Sequence, residues 1–115
     1  MLHLLVLDDD RGMTALLSMV ARDRGWTAET TVTESEFQEH YRARRPDVIM
    51  LDLQLGKSDG IEQLRFLGRE KYPGNVVLIS GFDARVLASA QEIGQGLGLA
   101  IVATVSKPIR VAPLR

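Results

Sequence analysis

The chain has 115 residues, 45% of them hydrophobic and 25% charged, with a formal net charge of -1. This is the composition of one globular domain long enough to bury its own core. It contains no cysteine, which excludes a disulfide framework, a cysteine zinc site and a thiol nucleophile, and fits a reducing cytoplasm. The near-zero charge gives no sign of nucleic acid or an acidic membrane as a partner.

Residues 2–7 form an apolar run that reads as a buried strand. It is too short for a membrane span and lacks the basic start and small-residue cleavage site of a signal peptide. Met13, Leu16, Leu17 and Val20 then recur at helical spacing, with Gly25 as a C-terminal cap. Residues 27–32 alternate weakly and predict a less buried strand, suited to a sheet edge. Thr33 followed by Glu36 spells a capping box for a second helix carrying Phe37 and Tyr41, which must end before Pro46. Residues 48–53 are a second strongly apolar strand. A loop with Gly56 and Gly60 leads to a third helix with Ile61, Leu64 and Leu67 on one side. Pro73-Gly74 is a turn, and residues 76–79 a short buried strand. Asp83 is placed to cap a fourth helix whose apolar positions are Val86, Ala90, Ile93 and Leu97. Residues 99–105 form a fifth strand. The order βαβαβαβαβ predicts an α/β fold, a parallel sheet with helices on both faces.

In such a sheet, ligands bind beyond the carboxyl ends of the strands. Asp8, Asp9 and Asp10 follow the first strand, Asp52 lies at the end of the third, Ser80-Gly81 at the fourth and Ser106-Lys107-Pro108 at the fifth. Asp10 reads as a cap of the first helix, where negative charge is welcome. Asp52 sits inside a run of valine, isoleucine, methionine and leucine, where an ionised group is costly without a partner. Three carboxylates around one point make a hard oxygen site suited to Mg²⁺. With the Ser80 hydroxyl and the Lys107 ammonium they compose a phosphoryl-transfer site centred on Asp52. Trp26 is expected to pack over the end of the first helix. His3 and His40, with no ligand partner nearby in sequence, read as ordinary core-edge and surface residues.

The segments "LVLDDD", "PDVIMLDLQLGKSDG", "VVLISG" and "SKPI" resemble, in order and separation, the four blocks of response-regulator receiver domains of two-component signalling, over nearly the whole chain. The resemblance implies a flavodoxin-like, doubly wound five-stranded sheet of strand order 2-1-3-4-5. It implies Asp52 as phospho-acceptor and Asp8, Asp9, Asp52 and the backbone carbonyl of Gln54 as Mg²⁺ site. Ser80 corresponds to the hydroxyl that follows the phosphoryl group, Lys107 to the lysine that pairs with it, and Pro108 to a proline whose preceding bond is typically cis. Phe82 occupies a position that influences access of the hydrolytic water. The implied partners are a histidine kinase or phosphotransfer protein and a C-terminal output domain in a longer regulator, with no nucleic acid or membrane bound by this domain.

Three features depart from the family pattern. Gly56 stands where proline is common, Thr104 takes the place of the usual switch aromatic, and only six residues follow Ile109. The fifth helix is thus expected to be largely missing. The face of the fourth helix and fifth strand, which would carry the signal, is then expected to allow a homodimer. Such a domain turns over no external metabolite, so the expectation is that it is not an enzyme. Two alternatives remain: a receiver that docks without phosphorylation, and an aspartate-nucleophile phosphatase suggested by the Asp8-x-Asp10 spacing.

Overall fold

The computed structural model describes residues 2–55, 58–81 and 84–106. Among these residues five strands, β1 (His3–Leu7), β2 (Thr27–Thr31), β3 (Val48–Asp52), β4 (Asn75–Ser80) and β5 (Ala100–Ser106), alternate with four helices, α1 (Arg11–Asp23), α2 (Glu34–Ala43), α3 (Ile61–Arg69) and α4 (Ala84–Gly96). All the strand pairs of this sheet are parallel, and their order is β2-β1-β3-β4-β5. The expected α/β architecture is present. A short antiparallel ladder between Gln54–Leu55 and Ser58–Asp59, not anticipated from sequence, folds the segment after β3.

Local signals start α1 and α2 and stop α1 as expected. Asp10 accepts from the N–H groups of Gly12 and Met13 at the start of α1, which supplies partners for donors that no helix can satisfy internally. Thr33 and Glu36 form the reciprocal capping box of α2. The N–H groups of Arg24 and Gly25 return to the carbonyls of Ala21 and Arg22 and close α1.

Among the described residues the two faces of the sheet are covered unequally. On one face α2, α3 and α4 bury Phe37, Tyr41, Leu64, Phe66, Leu67, Leu87 and Ala90 against Leu5, Leu7, Ile49, Leu51 and Leu78. On the other face α1 packs Met13, Leu17 and Ala21 over Leu4, Val6 and Ile79, with Trp26 partly buried beside them. Trp26 thus lies where the sequence placed it. Beside α1 an apolar groove of about 240 Å³ is lined by Leu4, Leu17, Trp26, Val48, Met50 and Val77 among others. The expected fifth-helix stub falls on residues 107–115, outside the described residues.

Two helical stripes differ from expectation. In α1 the buried residues are Met13, Thr14, Leu17 and Ala21, while Val20 is exposed. In α4 the buried side chains are Leu87 and Ala90, whereas Val86 and Ile93, and Leu97 just past the helix, are exposed. The helix turns that way because it meets β5 at Gly94, where an added Cβ would stand 2.8 Å from Ile101 Cδ1. That close approach rotates the Val86–Ile93 stripe toward solvent.

Candidate functional site

The acidic residues converge where the parallel strands end. Asp8 directly follows β1 and is fully buried. Its backbone N–H donates to the Thr31 carbonyl at 3.0 Å, and its Oδ1 accepts from the Asp10 N–H at 2.9 Å. Thr31 therefore positions Asp8 from the neighbouring strand, and its own hydroxyl donates to the Val6 carbonyl at 2.7 Å. Sequence reading passed over this residue, since a threonine in "TAETT" carries no chemical signal.

Asp52 ends β3, 1% exposed, with one carboxylate oxygen accepting the Gln54 N–H at 3.0 Å. One carboxylate oxygen each from Asp8, Asp9 and Asp52 can be chosen so that all lie within 4.8 Å of one another; Asp9 is exposed and the other two are buried. Like charges this close repel, and burial adds a desolvation cost. A hard divalent cation relieves both, because carboxylate oxygens are its preferred donors. The residues present therefore fit a Mg²⁺-type ion.

The loops around this cluster are tied to one another. Leu53 N–H donates to the Ile79 carbonyl at 2.9 Å, and Gly60 N–H to the Leu53 carbonyl at 3.0 Å. α3 starts so close under the end of β3 that a Cβ on Gly60 would lie 3.0 Å from Leu53 Cα, so only glycine fits there. The Gln54 side chain accepts the Gly81 N–H at 3.3 Å. It thereby joins the segment after Asp52 to the segment after Ser80, a role that the reading of Gln54 as a backbone ligand did not include. Ser80 itself is 1% exposed at the end of β4, in register with Ser106 on β5.

Thr104 lies on β5 opposite Leu78 and is exposed. Lys107 and Pro108, together with Gly56, Phe82 and Asp83, lie outside the described residues. Asp10, the second acid of the phosphatase alternative, spends its side chain on the cap of α1. The histidines, read as ordinary core-edge and surface residues, share one partner. His3 Nε2 and His40 Nδ1 each lie 3.0 Å from a different oxygen of Glu29, on the sheet face covered by α2. The three residues are 26 and 11 positions apart, so nothing in the sequence pairs them. No helix among the described residues is long and apolar enough to cross a membrane.

The family model for the response regulator receiver domain matches residues 4–115. The chain is 35% identical over 80 residues to the nitrogen assimilation regulatory protein NtrX of Azorhizobium caulinodans, covering 68% of this chain and 18% of that protein. It is 30% identical over 117 residues to protein-glutamate methylesterase/protein-glutamine glutaminase 2 of Burkholderia thailandensis, covering 98% of this chain and 31% of that one. Among solved structures, NtrX from Brucella abortus superposes with a TM-score of 0.83 at 24% identity, covering 95% of this chain and 24% of that one. The response regulator TrrA from Thermotoga maritima, in complex with Mg²⁺-BeF, gives a TM-score of 0.77 at 17% identity, covering 96% and 90%.

The chain thus spans about a fifth to a third of these two curated relatives. The second of them corrects the expectation that the chain is not an enzyme, because the matched segment there forms part of a protein named for two hydrolytic activities. The physical reason is modular: a receiver segment and a catalytic segment can occupy separate parts of one chain, so the chemistry of the first does not exclude the second. With the family model matched from residue 4 to residue 115, and the strand order and strand-end carboxylates described above, the chain belongs to the response-regulator receiver domain family of two-component signalling.

Proposed function

We propose that this chain is a phospho-accepting receiver in which Asp52 takes a phosphoryl group from a histidine kinase or phosphotransfer protein in the cytoplasm. The observation that carries this reading is the meeting of Asp8, Asp9 and Asp52 within 4.8 Å at the sheet end. Mg²⁺ would be held by Asp8, Asp9, Asp52 and the Gln54 carbonyl, where it would neutralise charge and polarise a phosphoryl oxygen. The relative TrrA, described with Mg²⁺ and the phosphoryl mimic beryllofluoride, supports that choice of ion.

The chain's own residues supply positioning, which is most of what phosphoryl transfer requires. The Gln54 N–H holds the Asp52 carboxylate in one orientation. An oxygen of that carboxylate attacks phosphorus. The P–N bond of the donor phosphohistidine breaks with its electron pair going to nitrogen, which takes up a proton, and the new P–O bond leaves an acyl phosphate on Asp52. Ser80 would donate its hydroxyl to a phosphoryl oxygen, and Lys107, assigned from sequence alone, would pair with another. Because Ser80 ends β4 and is in register with Ser106, its movement toward Asp52 would be transmitted to α4 and β5. Val86, Ile93 and Val102 are exposed apolar residues of these two elements, suited to an output domain or a second copy. The small share of its relatives that the chain spans supports an attached output domain.

Incubation with acetyl phosphate and Mg²⁺ should add one phosphoryl group per chain, read by intact mass. Asp52→Asn should abolish it, as should a chelator. Undiminished phosphorylation of Asp52→Asn would overturn the assignment.

A further inference from the structure

At the end of the sheet opposite the carboxylates, the last turn of α2 and its exit carry Arg42, Arg44 and Arg45, and the exit of α3 carries Arg69 and Lys71, all exposed. Among the described residues none of the five lies in an ion pair within 4.0 Å of a carboxylate, unlike Arg65, which pairs with Glu62. Cations at helix C-termini are favoured by the helix dipole, which accounts for Arg42 and Arg69. It does not account for Arg44 and Arg45, which lie past the helix.

Two of these arginines are seated on rings. The Arg42 guanidinium carbon lies 5.1 Å from the centroid of Phe66 and that of Arg45 5.5 Å from the centroid of Tyr41. The rings are themselves buried and pack edge to face 5.3 Å apart. Guanidiniums held this way have less freedom left to lose on meeting a ligand.

We propose that this surface docks an acidic protein segment. Planar forks match carboxylates with paired hydrogen bonds. Asp47 and Glu70 belong to the same surface, close enough for their charges to act on Tyr72 and Tyr41. A nucleic-acid backbone, with a phosphate every few ångströms, would meet both carboxylates in repulsion. A peptide can set neutral or basic residues against them and its acids against the arginines. The surface lies at the far end of the strands from Asp52, so docking and occupancy of the acidic site do not compete.

The test uses the whole chain with a fluorescent oligoglutamate peptide and, in parallel, a random-sequence DNA duplex, both followed by anisotropy. The peptide should bind, weaken with added salt, and lose affinity by about tenfold with Arg42→Gln/Arg45→Gln, as for two charge-assisted contacts. Arg44→Gln/Arg69→Gln, which leaves the seated arginines in place, should weaken it less. Arg65→Gln, which removes the partner of Glu62, should not weaken it at all. Absence of peptide binding, equal binding by the Arg42→Gln/Arg45→Gln variant while its thermal midpoint is unchanged, or tighter binding of the duplex would each overturn the proposal.

Discussion

At the N-terminal ends of the strands, His3 meets Thr27 and Glu29, Glu29 also meets His40, the His3 N–H donates to Asp47, and the Tyr72 hydroxyl donates to the Pro46 carbonyl. Aromatic rings fill the space behind, with Tyr41 packed edge to face on Phe66 and Tyr72. At the C-terminal ends, by contrast, three carboxylates crowd within 4.8 Å and two of them are buried. One end joins complementary groups, which stabilises the folded chain whatever the solution contains. The other gathers like charges, which repel one another, a repulsion that a bound cation would relieve. The difference separates paired groups from the acidic site more sharply than burial does, since each end holds both buried and exposed residues.

The largest effect expected at the scaffold end comes from Phe66→Ala. Removing a ring that touches Phe37, Tyr41 and the Arg42 guanidinium should cost about 3–5 kcal/mol, read as the loss of unfolding free energy in urea. A loss under about 1 kcal/mol would mean that the aromatic cluster repacks around the gap.

The carboxylate end should respond with the opposite sign. Asp9→Asn should raise the metal-free stability by roughly 0.5–1 kcal/mol through relief of repulsion, a value kept small because Asp9 is exposed. The same change should forfeit most of the gain given by Mg²⁺, about 2.7 kcal/mol at a hundredfold excess over Kd. Paired melts with and without Mg²⁺ check both parts, and a destabilised metal-free variant would contradict the like-charge account.

The smallest effect tests the same kind of change, one carboxylate neutralised, at the other end. Burial pushes the Glu29 carboxyl up, but hydrogen bonds from His40 and His3 and their charges outweigh it, so the group sits below its ordinary value of 4.5. A carboxyl lowered in the folded state adds stability above its unfolded value and loses it as pH falls through the folded one. Glu29→Gln should therefore cost about 0.5 kcal/mol at neutral pH, discounted for the solvent exposure of the pair. The gap from the parent chain should narrow once the pH drops below 4.5. A gap that stays constant into acid would assign the cost to packing instead.

Most of this site was legible because its signals are local in the chain. "LVLDDD" and "VIMLD" announce strands that end in carboxylates, and in a parallel sheet strand ends share one edge. Asp10 and the Thr33–Glu36 box could be read because capping involves residues two or three apart. The α4 stripe could not, since Val86, Leu87, Ala90, Ile93 and Leu97 offer two overlapping helical faces of similar apolar character. The choice between them rests on Gly94 against Ile101, a contact with another element.

From sequence alone, then, came the order of strands and helices, the Asp10 and Thr33–Glu36 caps and the gathering of carboxylates at the strand ends. Each depends on nearest neighbours in the chain, or on the rule that parallel strands end together. Tertiary structure alone decided which face of α4 is buried, that Thr31 holds Asp8 by its carbonyl, and that Gln54 reaches Gly81. It also decided that His3 and His40 share one carboxylate and that two arginines rest on buried rings. Those are pairings between residues far apart in the chain, whose side-chain types are compatible with many partners until the sheet brings one of them within reach.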